Sequence, residues 1–281
     1  MSSNNLRNVI QSFKCDSPEP VIASVRSAGA TKVAKRSPTK RKPNNATHAN
    51  AKAVNSANIL KDLPPSIVAD LTVVFVGFNP GVESSKQQHH YAHPTNLFWK
   101  LFNASDLLSA VLDLRETDVS KYGGVLNDIY RHGPCSARAE HDFDLINVGV
   151  GFTDLVLRCT KQAAELSQQE KAQNVPRLLG EFNLSKAPFI VFVGKGIWEV
   201  VCKYLVPKHK LTPCNFSWGI QTDAEIMRRF TSFCVYSPKV YVFPNTSGLV
   251  ASMKYPEKLD LWNSLVADMR ECGDGGESRK G

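Results

Sequence analysis

Three short runs, Val73–Val76, Ile190–Val193 and Val240–Phe243, are apolar or aromatic at every position and rich in β-branched side chains. Each is too short for a helix and offers no polar face to water, which is the pattern of a strand buried on both sides. Helical patterns lie around them. Pro94 precedes a stripe of Leu97, Phe98, Leu101 and Phe102, and Ser167-Gln168-Gln169-Glu170 reads as a capping box. Pro256 suits a first helical turn leading Leu259, Trp262, Leu265, Val266 and Met269. Strands alternating with helices predict an α/β fold: three α/β/α layers around a short, mostly parallel central sheet. Ser237-Pro238-Lys239 suggests a hairpin partner for the last run at Phe233–Tyr236.

Charge divides the chain. The 281 residues hold 34 Lys plus Arg against 26 Asp plus Glu, a net +8. Residues 1–60 carry ten of those bases and two of those acids, so the remainder is neutral. A chain basic throughout, such as a histone-like packing protein, is excluded. Between Arg26 and Ala53 the only large apolar side chain is Val33, too little to offset the entropy of ordering. Residues 1–60 therefore read as a disordered basic tail, 61–270 as one compact domain, and 271–281 as a fraying C-terminus. The run Lys35–Lys42 suits nuclear import or phosphate contact, which points to the nucleus. The start of the chain carries no apolar stretch of the secretory kind, and no run approaches the ~18 apolar residues of a membrane span. The seven cysteines form no CxxC pair, which argues for reduced thiols and against a zinc or iron–sulfur site.

In open α/β sheets ligands bind at the carboxyl ends of the strands. The three apolar runs end in Gly77-Phe78-Asn79-Pro80-Gly81, in Gly194-Lys195-Gly196 and in Pro244–Leu249. None is a nucleotide-binding fingerprint, so a phosphate-loop NTPase is not expected. His89, His90 and His93 have a metal-like spacing, but Pro94 disfavours a helix there and no Cys or carboxylate is near in sequence. No metal or cofactor is expected.

The segments Gly77–Gly81, His89–Lys100, Gly151–Val156 and Asn245–Leu249 together resemble, in order, the mismatch-specific uracil/thymine-DNA glycosylases of the uracil-DNA glycosylase superfamily. The resemblance covers about residues 71–270. It implies that Asn79 orients the attacking water and that Thr153 helps hold it. Tyr91 would be the aromatic on which a flipped base stacks, with main-chain groups near Phe78 and Tyr91 reading the base edge. His90, Asn96 and Asn147 would complete the pocket, although His90 could instead contact a phosphate and Asn96 equally suits a helix cap. Asn245, Ser247, Gly248, Leu249 and Val250 would form the loop that penetrates the duplex, with Leu249 as an apolar wedge. Some relatives carry Arg where this chain has Leu249, and bacterial ones carry Arg where it has Ala251, so this loop is less cationic. Lys195, in a Gly-Lys-Gly turn, suits a backbone phosphate.

The function so implied is a monomeric, monofunctional DNA glycosylase. It would remove uracil, and thymine or modified pyrimidines, opposite guanine in double-stranded DNA (G·U and G·T pairs). An amide is a poor base, so the enzyme should be slow. The alternative is a non-catalytic DNA-binding or scaffold protein on the same fold. Arg7–Lys14 has an aliphatic and an aromatic residue three apart, like a degraded sliding-clamp peptide lacking the leading Gln and second aromatic.

Overall fold

The computed structural model describes residues 60–115, 122–248 and 253–277. The basic tail and the clamp-like Arg7–Lys14 lie outside them, as do Leu249, Val250 and Ala251. The strands are β1 (Val73–Gly77), β2 (Val150–Asp154), β3 (Phe189–Val193), β4 (Gly219–Ile220) and β5 (Lys239–Phe243). They form one sheet in the order β2-β1-β3-β5-β4. All neighbours are parallel except β4, which runs antiparallel to β5 at the edge. Among the described residues the α-helices are α1 (Val82–Gln87), α2 (Phe98–Ala104), α3 (Leu107–Leu114), α4 (Gly123–Ile129), α5 (Gln168–Ser185), α6 (Lys195–Leu205), α7 (Ala224–Phe233) and α8 (Tyr255–Glu277). The three expected strands are present, and a mostly parallel sheet with both faces covered is the α/β/α architecture predicted.

The period-two alternation of each strand sorts its side chains into two cores. Phe75, Phe152, Val191, Tyr241 and Phe243 face the layer of α2, α3 and α8, where Phe75 stacks on Trp262 with ring centroids 5.3 Å apart. Val74, Val76, Ile190, Phe192, Val240 and Val242 face α5, α6 and α7. This two-sided burial is why no polar alternation marks these strands in the sequence.

Two expectations are corrected. The antiparallel partner of β5 is Gly219–Ile220, whereas Phe233 closes α7. Asp223 caps that helix by accepting from the Ile226 N–H at 3.0 Å, and this carries the chain through Phe233 as helix. The final helix also runs to Glu277 rather than ending near 270. It packs along α3, with Arg270 reaching Asp106 at 3.2 Å.

Candidate active site

A cleft of ≈ 430 Å³ opens at the carboxyl ends of the strands. It is lined by the loop after β1 (Phe78 to Gly81), by His90, Tyr91 and Asn96, by Asp154 at the end of β2, and by Asn245, Thr246 and Ser247 after β5. The sequence thus scatters these residues over some 170 positions, and the sheet topology gathers them.

Asn79 is held by its amide nitrogen. Its Nδ2 donates to the hydroxyl of Thr160 at 2.7 Å and to the carbonyls of Pro80 and Arg158 at 3.2 Å each. Thr160 donates in turn to the Gln162 carbonyl at 2.9 Å, which leaves its oxygen an acceptor toward Asn79. With the NH₂ end committed, the carbonyl oxygen Oδ1 is the free end of the amide, an acceptor suited to orienting a water proton.

The partner of Asn79 is therefore Thr160, not Thr153. Thr153 is fully buried on the opposite face of β2, donating to Glu181 at 2.7 Å. Strand alternation turns Phe152 and Asp154 toward the cleft layer and Thr153 away from it. Asn147 is likewise not in the cleft. It sits in the 3₁₀ turn Leu145–Val148, before β2, and lines a separate cavity with Tyr122, Asp128 and His141. A five-residue strand, ~13 Å long, separates that end from the cleft end. Lys195 opens α6 but lies over the Phe216 ring, 4.7 Å from its centroid, and 3.6 Å from Glu199.

His90 is 2 % exposed, so it is a pocket group and not a phosphate contact. Its Nδ1 and its main-chain N–H both approach Asp142 Oδ2 at 2.7 Å. Asp142 also receives His89 Nδ1 and the Phe143 N–H, both at 2.8 Å. His90 Nε2 is buried and without a partner. Asp142 was invisible in the sequence, being 52 residues from the histidine that it orients.

Tyr91 adopts a left-handed backbone, φ 54°. A non-glycine residue there costs about 1–3 kcal/mol and marks a constrained site. One face of its ring is stacked on Phe98, centroids 3.9 Å apart and 2° from parallel, leaving only the other face for a ligand. Its hydroxyl is buried with no partner, and burial pushes its pKa well above the ordinary value. Asn96 both lines the cleft and caps α2, accepting from the Phe98 N–H at 3.0 Å.

Asp154 is a further cleft residue that the sequence reading passed over. It is buried, and burial raises its carboxyl to about 6 despite the opposing pull of His90 and Arg177. Gly77 makes room for it: a Cβ there would lie 2.1 Å from Asp154 Oδ1 and 3.3 Å from the Tyr91 hydroxyl. Phe78 forms a half-buried wall, its ring 5.2 Å beneath Lys171 Nζ.

The loop after β5 is braced from below. Asn245 Oδ1 accepts from the Ser247 N–H at 2.7 Å, and the Thr246 carbonyl accepts from the Leu97 N–H at 2.9 Å. Lys258, 2 % exposed, donates to the Asn245 carbonyl at 2.8 Å. At Gly248 a Cβ would come within 2.5 Å of Thr95 Oγ1 and 2.9 Å of its carbonyl, so glycine is needed for that approach. Replacing Lys258 by Met should cost about 1–3 kcal/mol of local stability by orphaning a buried carbonyl. Amide exchange at Ser247 and Gly248 should then accelerate; unchanged protection would mean that Lys258 does not brace the loop.

Among the described residues, Asp128, Glu140 and His141 could offer ligand atoms to a metal, within 4.8 Å of one another. That cluster lies away from the cleft, and Arg138 pairs with both carboxylates at 3.3 and 2.5 Å. Guanidinium already occupies the place of a cation.

A family model for the uracil DNA glycosylase superfamily matches residues 64–266. A Schizosaccharomyces pombe protein described as a G/U mismatch-specific uracil DNA glycosylase is 30 % identical over 213 residues, 75 % of this chain and 54 % of the relative. The match thus spans about half the length of that relative.

Proposed function

Because this chain belongs to the uracil DNA glycosylase superfamily, we propose that it is a monofunctional DNA glycosylase that hydrolyses the N-glycosidic bond of uracil, and of thymine, mispaired with guanine in double-stranded DNA. The observation that carries the reading is the Asn79–Thr160 pair, which holds the amide of a residue lining a cleft large enough for one base. A flipped nucleotide would enter with its base against the free face of Tyr91. Asn79 Oδ1 would hold a water against the sugar carbon as the glycosidic bond breaks and the base leaves with the electron pair. Catalysis by such positioning, without a true base, makes for a slow enzyme. The loop from Asn245 onward would fill the vacated stack, with Leu249 as its wedge.

Single-turnover assays on duplexes carrying G·U, G·T or A·U pairs, developed with alkali, test this. Uracil opposite guanine should be released, leaving an abasic site that breaks only on alkali treatment. Lys161 is the lysine among the cleft-lining residues and is exposed. A borohydride-trapped protein–DNA adduct at that residue would overturn the monofunctional assignment. No excision from any duplex would leave the scaffold reading.

The basic tail adds sequence-blind, salt-sensitive affinity and serves nuclear import in this scheme. Deleting residues 1–60 should flatten the dependence of DNA affinity on salt while single-turnover cleavage survives. Loss of cleavage in a folded truncation would sink that division of labour.

A further inference from the structure

Lys171 is a buried cation without a counterion. It stands in the first turn of α5, where the positive end of the helix dipole disfavours a positive side chain, and only 9 % of it is exposed. Buried charges are costly and are ordinarily paired. Here the nearby carboxylates are engaged elsewhere: Glu170 is held by Arg158 at 2.7 and 3.0 Å, and Glu199 lies 3.6 Å from Lys195 Nζ. Among the described residues the ammonium is instead set against a ring, its Nζ 5.2 Å from the centroid of Phe78. That ring is a partition. Phe78 lines the cleft on one side and, on the other, a groove between α5 and α6 that Lys171 also lines.

We propose that Lys171 is a positioning residue of this cleft, acting through the Phe78 ring on the charge of the departing base. This rests on the reading of the cleft as a base-excising site. In that reading the C1′–N1 bond breaks with its electron pair retained by the pyrimidine. The water adds to C1′ and yields a proton to solvent, and the base leaves as an anion that solvent protonates. An aromatic face is electron-rich, so a bare ring opposes an anion laid against it. An ammonium on the far face draws that density away from the cleft and adds its own field.

Distance sets the size of the effect. A base at van der Waals contact with the ring lies within roughly 9 Å of Nζ, and at an effective dielectric of about 20 a unit charge there changes the rate of forming the anion roughly tenfold. The uncharged base of the ground state gains little from the same field, so the effect falls on the rate and hardly on binding. Burial also keeps the ammonium from being screened by salt, unlike the exposed cations that meet DNA phosphates.

Two measurements on the full chain decide the matter. The first is single-turnover excision from duplexes with guanine opposite uracil or opposite 5-fluorouracil, a better leaving group that carries less developed charge as the bond breaks. Lys171→Met and Lys171→Gln, which remove the charge with different packing, should slow uracil release roughly tenfold and 5-fluorouracil release by no more than roughly threefold. The tenfold loss should persist at high salt, and Lys171→Arg should stay near the wild-type rate. An equal loss on both bases is what damaged packing would give, and it would overturn the proposal. Wild-type rates in the neutral variants, or Lys171→Arg as slow as they are, would do the same. The second measurement is affinity for a duplex carrying 5-fluorouracil on a 2′-fluorinated sugar, which resists hydrolysis, on either side of the pH at which that base loses its N3 proton. Lys171→Met should bind the neutral base as the wild type does and the anionic base roughly tenfold more weakly. If the wild type excises nothing, the activity reading fails and this affinity decides alone. A gap that opens only on ionisation sustains the role of Lys171, and equal profiles refute it.

Discussion

Replacing Asn79 by Ala should lower the single-turnover rate of uracil excision by on the order of 10²–10³-fold, the usual cost of one preorganised polar group at a reacting centre. The size of the effect follows from how completely the amide is committed. Three acceptors hold Nδ2, so Oδ1 has one orientation, and Ala removes both the water's partner and the link between the loops after β1 and β2. Thr160→Val keeps the amide but releases its shortest bond, and roughly tenfold is expected. The pair should therefore be strongly non-additive, with the double variant no slower than Asn79→Ala alone. Equal rates for wild type and Asn79→Ala would show that the water is held elsewhere and that the proposed mechanism is wrong. DNA affinity should change little in either variant, since neither side chain is charged.

Gly77→Ala should abolish measurable excision and destabilise the domain by about 1–3 kcal/mol, the cost of forcing a methyl into a filled site. The collision is with the Asp154 carboxylate at 2.1 Å, on the last residue of β1, where neither the strand nor the buried acid has room to retreat. The remedy identifies the cause. In Gly77→Ala/Asp154→Ala the obstructing carboxyl is gone, and thermal stability should return most of the way to that of Asp154→Ala alone. Strictly additive losses in chemical denaturation would place the strain elsewhere, in the backbone of the loop that follows.

Much of this site is legible in the sequence alone, for reasons particular to its residues. The runs at 73, 190 and 240 announce parallel strands because burial on both faces leaves no polar position in them. Asn79, His90, Tyr91, Asn96 and Asn245 to Ser247 then fall together because each sits just past a strand's carboxyl end or on the loop that closes over it. Thr153 misled because a five-residue motif contains both faces of a strand, and its identity alone does not say which side chain turns inward. Asn147 misled because it lies at the wrong end of that same strand. Thr160 was missed because it lies beyond β2, in a turn with no periodicity to announce it. β4 was illegible for a simpler reason: two residues, Gly219 and Ile220, carry no pattern. Asp142 and Lys258 act across 52 and 13 residues respectively, through contacts that no local spacing encodes.

The position of β1 has a kinetic consequence. It is paired on both sides, with β2 and with β3, and every one of its residues is buried. The loop bearing Asn79 is thus hung from the segment whose opening requires the most of the molecule to open with it. The loop after β5 grows from a strand whose outer neighbour pairs at only two positions. Native-state exchange should therefore rank the two sides of the cleft differently, slow in β1 and faster in β5. The anchorage of Asn79 would then survive openings of the Asn245–Ser247 side of the cleft.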